Sequence, residues 1–206
     1  MTEVQQFWDD LYGQREQVWS GRVNAPLAER AADLPPGRAL DLGCGEGADA
    51  LWLAERGWAV TAVDISPTAL GRARAEADRR GLAVDWQQAD LAEALPPGPY
   101  ELVTAHFLQS PVELPRASVL QRAAAEVAPG GHLLVVGHAA APPWSQHEHQ
   151  DQHDPELMPP AATVLDQLAL GDDWQLLEAD DVPRTATGPD GRTHELLDSV
   201  VLARRR

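Results

Sequence analysis

Residues 39–47 read ALDLGCGEG, and the fold follows from them. The run from Arg38 to Leu42 has the character of a short buried strand. Gly43, Gly45 and Gly47 then allow a tight turn and present no side chain to an approaching ligand. A helix from about Ala48 to Arg56 follows, closed by Gly57, and its first N–H groups and partial positive charge suit an anionic group. Strand, glycine turn and helix in this order predict the carboxyl edge of an open α/β sheet, where such sheets bind ligands.

Outward from this stretch, strand-like and helix-like segments alternate. Strands are predicted at 59–64 (AVTAVD), 84–88, 100–107 (YELVTAHF), 132–138 (HLLVVGH), 174–179 and 194–203. Helices are predicted at 67–80, capped by Ser66-Pro67 and ended by Gly81, and near 115–128 and 160–170. Residues 180–193, DDVPRTATGPDGRT, read as a hairpin connection with an Asp190-Gly191 turn. Residues 1–33 read as one or two short helices dotted with Phe7, Trp8, Tyr12 and Trp19. The fold class is α/β: a Rossmann-like, doubly wound sheet of seven strands, mostly parallel, with an antiparallel last strand. A length of 206 residues suits one domain with one buried core.

Composition narrows the partners. Asp and Glu number 32 against 16 Lys and Arg, a formal charge of −16 that repels phosphate backbones and argues against a nucleic-acid substrate. Cys44 is the single cysteine, which fits a reducing cytoplasm. The N-terminus has no basic segment followed by an apolar run, and no stretch approaches the ~18 apolar residues of a membrane span, so a cytoplasmic, membrane-free protein is expected.

Two nucleotide ligands fit the glycine turn. Asp64 ends the second strand about 20 residues after the glycines, where a carboxylate accepts both hydroxyls of a ribose. The run Gly43-x-Gly45-x-x-Ala48 satisfies the dinucleotide fingerprint and admits NAD. Asp41, however, stands where a pyrophosphate would approach; it suits the ammonium of an amino acid and disfavours a dianion. That favours S-adenosylmethionine.

Four segments together, DLGCGEG (41–47), AVDIS (62–66), QQADL (87–91) and EVAPGGHLLVV (126–136), resemble the class I S-adenosylmethionine-dependent methyltransferase family over about residues 38–138. The resemblance implies that Asp41, Gly43 and Gly45 line the methionine portion of the donor. It implies that Asp64 holds the ribose, Ile65 packs on adenine, Asp90 binds the adenine amino group, and Leu91 adds a backbone or apolar contact. Glu101 replaces an Asp common early in the family's fourth strand, without consequence expected for the fold. FWDDLY (7–12) and VWSGRVN (18–24) resemble the tellurite-resistance and thiopurine branch of small-molecule methyltransferases, which implies that Trp19 folds over the donor or simply packs the N-terminal helix. The chain then divides into an N-terminal helical lid (1–36), a donor-binding core (37–138) and an acceptor-side loop with a terminal hairpin (139–206), acting as monomer or homodimer.

His106 and His138 end predicted strands on the ligand edge and are the candidate general base or acceptor-orienting groups; His106 is expected to reach the methyl-donor end. His147, His149 and His153 have an H-x-H-x3-H spacing but no cysteine partner, so no metal is expected. APPW (141–144) resembles the loop of amino-group methyltransferases acting on adenine or cytosine. It follows the wrong strand and lacks the polar first residue. The expected function is methyl transfer from S-adenosylmethionine to a small-molecule nucleophile, a thiol or other soft chalcogen. The alternatives are a non-catalytic S-adenosylmethionine-binding regulatory module and an NAD-dependent oxidoreductase.

Overall fold

The apolar runs hydrogen-bond into one seven-stranded sheet: β1 (Arg38–Leu42), β2 (Ala59–Asp64), β3 (Asp85–Gln88), β4 (Tyr100–His106), β5 (Val127–His138), β6 (Trp174–Thr187) and β7 (Thr193–Arg205). The structure, a computed structural model, describes residues 2–141, 157–188 and 190–206. The strand order is β3-β2-β1-β4-β5-β7-β6. Strands β1 to β5 are parallel, and β7 runs antiparallel to both β5 and β6. This is the Rossmann-like, mostly parallel sheet with an antiparallel last strand that the sequence predicts. Because the order reverses between β1 and β4, their carboxyl ends open a crevice.

Six helices accompany the strands among the described residues: α1 (Glu3–Gly13), α2 (Ala25–Arg30), α3 (Ala48–Glu55), α4 (Pro67–Arg80), α5 (Arg116–Ala125) and α6 (Ala161–Leu168). The punctuation of α4 is local: the Ser66 hydroxyl accepts the Ala69 N–H, Pro67 occupies the first turn, and Gly81 closes it at φ +67°.

Period-two alternation sends side chains to two faces. Leu40, Leu42, Val103, Ala105, Leu133 and Val135 pack against Val119 and Leu120 of α5 and Val164 and Leu168 of α6. Ala39, Leu102, Leu134 and Val136 pack on the other face against Leu27 of α2 and Leu53 of α3. On this second face the apolar pattern gives way toward the carboxyl ends of β1, β4 and β5, where Asp41, Thr104, His106 and His138 follow in the same alternation. In β7, Asp198 sits directly opposite His138.

One expectation needs correcting. Residues 180–187 are not part of a hairpin loop; they continue β6 to Thr187, and the turn is confined to about 188–192, where the Gly188 N–H donates to the Arg192 carbonyl at 2.8 Å. Pro183 and the acidic pair Asp180-Asp181 disguise this strand. It tolerates them because β6 is the sheet edge and its other side needs no donor. Strand β5 likewise starts earlier than expected, at Val127. Among the described residues no helix is long and apolar enough to cross a membrane.

Leu40 is fully buried at the centre of the sheet. Leu40→Ala is expected to lower unfolding stability by about 2–5 kcal/mol with an unchanged denaturant slope, measured by urea titration.

Candidate functional site

A cavity of about 870 Å³ opens at the carboxyl ends of β1, β2, β4 and β5. This lies within the range of roughly 300–1,000 Å³ typical of small-molecule pockets. Asp41, Gly43, Gly45, Asp64, Ile65, Asp90, Leu91, His106, His138 and Trp19, scattered over 120 positions of sequence, all line it.

The glycine turn forms the floor. Gly43, Gly45 and Gly47 hold φ values of +67°, +53° and +82°, which residues with a side chain adopt at a cost. A Cβ on Gly45 would lie 2.8 Å from the Tyr12 hydroxyl, and one on Gly47 would lie 2.6 Å from the Trp86 ring. The turn is pinned to β2 twice: the Cys44 N–H donates to the Val63 carbonyl at 2.9 Å, and the Gly45 N–H donates to Asp64 Oδ2 at 2.8 Å. Asp64 Oδ1 accepts the Ser66 N–H at 2.9 Å. A carboxylate offers about four lone-pair sites, so these donors leave it acceptor capacity for a ligand. Burial raises the Asp64 pKa against the pull of these N–H donors. Asp90, half-buried, accepts the Ala92 N–H at 2.9 Å, and Leu91 beside it is buried.

At the far end of β1 and β4 lies a cluster of buried charges. Asp41, 2% exposed, accepts the Thr104 hydroxyl on Oδ1 at 2.9 Å, while its Oδ2 is buried without a partner among the described residues. His106, 8% exposed, places Nδ1 3.0 Å from Asp49 Oδ2, out of line for a hydrogen bond, and neither ring nitrogen has a hydrogen-bond partner. Burial, and then the charge of Asp49, push the Asp41 pKa up to about 7. Burial works against charge on both His106 and Asp49, but each holds the other ionised: the His106 pKa is raised and the Asp49 pKa lowered. Asp49 thus favours the charged form of His106, while Asp41 beside them is close to half protonated near neutral pH. Ligand-type atoms of Asp41, Asp49 and His106 all lie within 4.8 Å of one another, a set that suits a cation, organic or metallic. These three residues come from β1, α3 and β4, with no local spacing to mark them; His147, His149 and His153, with Pro142 to Trp144 of APPW, lie outside the described residues.

The N-terminal segment closes over the floor. Glu46, within the glycine motif, accepts the backbone N–H groups of Val18 and Trp19 at 3.2 and 2.9 Å and pairs with Arg72 at 2.8 Å. Arg72 also donates to the Tyr12 and Arg15 carbonyls. Asp49 accepts both N–H and Nδ2–H of Asn24 at 2.8 Å, and Asp9 accepts the Ser66 hydroxyl. Trp19, 53% exposed, donates its indole N–H to Tyr12 at 3.0 Å and stands at the cavity wall beside Gly45.

Opposite the acidic end, His138 stacks on Phe107 with ring centroids 4.5 Å apart, and its Nδ1 lies 3.3 Å from Asp198 Oδ1. Arg184 bridges both oxygens of Asp198, and Gln109 clasps the His138 backbone from both sides. Burial would raise the Asp198 pKa, but His138 and Arg184 hold it below the usual carboxylate range. Leu108, Pro111, Leu114, Leu157 and Met158 make the rest of this end apolar.

Asp49, Glu46, Asn24, Asp198 and Arg184 were not singled out in the sequence. Asp198 carried a signal, a lone acid within the apolar alternation of LLDSVVLA. Asp49 read as an ordinary first-turn helix acid.

A sequence model of the family described as "Methyltransferase domain" matches residues 39–131. The chain is 38% identical over 113 residues to a ribosomal protein L11 methyltransferase of Bordetella parapertussis, covering 54% of this chain and 34% of that protein. It is 32% identical over 146 residues to a ubiquinone biosynthesis O-methyltransferase of Aeromonas salmonicida, covering 66% of this chain and 60% of that protein. The chain thus spans about a third to three fifths of the length of these curated relatives. A solved structure from work on the conversion of a disulfide bond into a thioacetal group during echinomycin biosynthesis superposes with a TM-score of 0.76 at 24% identity, over 98% of this chain and 92% of that one. TehB from Haemophilus influenzae superposes with a TM-score of 0.72 at 18% identity, over 96% and 67%. At these identities the two structures speak for the fold.

Two outcomes are expected from this geometry. Asp41→Asn keeps the Thr104 contact and removes a buried charge. The folded pKa of Asp41 lies above its unfolded value near 3.8, so the native state loses stability as pH rises from about 4 to 7. The variant is therefore expected to melt higher than the native chain at pH 8 and equally at pH 4, by scanning calorimetry. Glu46→Gln removes the charge that gathers two N–H groups and Arg72, and hydrogen-exchange protection of residues 14–22 is expected to drop while that of β1 to β5 holds.

Proposed function

We propose that the chain, whose residues 39–131 match the methyltransferase-domain family, transfers the sulfonium methyl of S-adenosylmethionine to a small-molecule nucleophile, a thiol or other soft chalcogen. The observation that carries this reading is the gathering of every expected donor residue around one cavity, with an unpartnered Asp41 oxygen at its end. That buried Oδ2, without a partner among the described residues, fits an ammonium, and Gly43 and Gly45, which line the cavity without a side chain, leave backbone facing the donor's methionine portion.

On this reading Asp41 takes the donor's ammonium and Gly43 and Gly45 give it room. Asp64 turns its free lone pairs to the ribose hydroxyls, Ile65 packs on the adenine, and Asp90 with Leu91 meets its edge. When bound, the donor supplies an already electrophilic methyl group, so the protein's part is alignment and exclusion of water. Trp19 and the segment held by Glu46 cover the donor side. His106 lies 3.0 Å from Asp49, which favours its charged form against burial, so that the ammonium pocket does not carry two bare carboxylates. His138 faces the acceptor. The apolar wall around it suits a soft nucleophile, and the charge of −16 disfavours nucleic acid.

Calorimetry is expected to give micromolar-range binding of S-adenosylmethionine or S-adenosylhomocysteine. Asp64→Ala loses two charge-assisted hydrogen bonds of about 1.5–3 kcal/mol each, and Asp90→Ala, at a half-buried position, loses one without disturbing the glycine turn. Binding of NAD and of neither nucleoside overturns the reading. Donor binding without consumption across an acceptor panel favours the regulatory module instead.

A further inference from the structure

We propose that His138, Asp198 and Arg184 form a proton-accepting relay that selects, as methyl acceptor, a weak acid that keeps its proton at neutral pH on an apolar body, of the phenol or arylalkyl thiol type. This rests on the methyltransferase reading and narrows its substrate class.

The three residues come from three adjacent strands. His138 ends β5, Asp198 lies opposite it on β7, and Arg184 reaches across from β6. Asp198 is 2% exposed, and its two oxygens face only His138 and Arg184 among the described side chains. A carboxylate so placed fixes the imidazole with Nδ1 protonated. Nε2 is then the basic atom, and among the described residues it makes no hydrogen bond. His138 keeps about a third of its side chain exposed, so a proton taken up there can leave to solvent. Arg184 lines the same cavity and supplies its acceptor end with a cation. The surrounding Phe107, Leu108, Leu114 and Met158 offer an apolar or aromatic seat. No such relay is needed for an acceptor already ionised, and an amine protonated at neutral pH would have to shed its hydration among apolar side chains.

The step balances as follows. The acceptor's S–H or O–H proton passes to His138 Nε2, the sulfur or oxygen forms a bond to the methyl carbon, and the carbon–sulfonium bond breaks toward sulfur. S-Adenosylhomocysteine leaves uncharged, and His138 returns the proton to water. Asp198 touches neither reactant and is a positioning residue. The charged and titratable groups around His138 are Asp198 on β7 and Arg184 on β6; β4 and its following loop present the uncharged Phe107 and Gln109. His106, Asp49 and Asp41 line the same cavity.

Two measurements on the full chain test this. The first needs no donor or acceptor: imidazole NMR of the native protein and of Asp198→Asn. The native imidazole is expected to show the Nδ1-protonated tautomer in its nitrogen shifts and the Asp198→Asn variant a mixture; an unchanged tautomer overturns the relay. The second supplies S-adenosylmethionine with phenol, phenylmethanethiol, 4-nitrothiophenol and benzylamine. Methylation of phenol or phenylmethanethiol is expected, with kcat falling about 100-fold in His138→Gln at unchanged acceptor KM, while the already ionised 4-nitrothiophenol loses little in the same variant. Preference for benzylamine, a His138→Gln variant as fast as the native protein on phenol or phenylmethanethiol, or no turnover of either by protein shown to bind the donor overturns the proposal. Failure to bind the donor at all overturns the methyltransferase reading beneath it.

Discussion

The hydrogen bond from the Gly45 N–H to Asp64 Oδ2, 2.8 Å long and buried, ties the first glycine turn to the end of the neighbouring strand. It requires a residue that tolerates φ +53° at one end and a carboxylate at the last position of β2 at the other. With the Cys44 N–H on the Val63 carbonyl, it sets how far the turn stands off the sheet. Everything at the cavity floor inherits that distance. Glu46 is aimed outward by the same turn, and there it collects Val18, Trp19 and Arg72; the start of α3 places Asp49 under Asn24. The N-terminal segment is therefore docked on the turn itself, through groups that become available only once the turn has formed.

The second constraint is the pleat. Asp41, Thr104, His106, His138 and Asp198 lie on the face of the sheet that elsewhere packs Ala39, Leu102, Leu134 and Val200 against α2 and α3. Each stands where the alternation elsewhere on this face places an apolar residue, so a polar stripe crosses the sheet under the cavity. Such a stripe opposes folding: Asp41 keeps an unpartnered oxygen, and His106 has neither nitrogen in a hydrogen bond. The opposite face carries no such stripe and its core, from Leu40 to Val201, supplies the compensating burial. Strain confined to one end of one face marks where a ligand is to be met.

The alternation of strands and helices was legible in residues 38–138, because buried parallel strands, proline and glycine caps and the terminal acid of β2 each leave local marks. The run of β6 through Thr187 was not, since Pro183 and Asp180-Asp181 follow edge-strand chemistry that reads locally as a loop. The positions lining the cavity were legible where they belong to the glycine motif or end a strand. The pairings were not. That Asp49 holds His106, that Glu46 holds the N-terminal segment, or that Asp198 stands behind His138 depends on register and on helix placement, separations of 57, 28 and 60 residues that no local pattern encodes.

These pairings distribute charge along the cavity. Asp41, Asp49, Asp64 and Asp90 line it with carboxyl groups, while Arg184 is paired with Asp198 beside His138. On the methyltransferase reading, the reactants are a sulfonium carrying an ammonium and an acceptor giving up a proton; the carboxyl groups match the first, and His138 receives the proton of the second. Methyl transfer removes the sulfonium charge and the acceptor's developing negative charge together, so the field that draws the reactants in has less hold on either product. The ammonium survives the reaction and stays matched to Asp41, which leaves the nucleoside product as the tighter-held of the two. Orientation along this axis comes from fixed side chains on β1, β4, β5 and β7, already paired before a ligand arrives, and costs little reorganisation when it does.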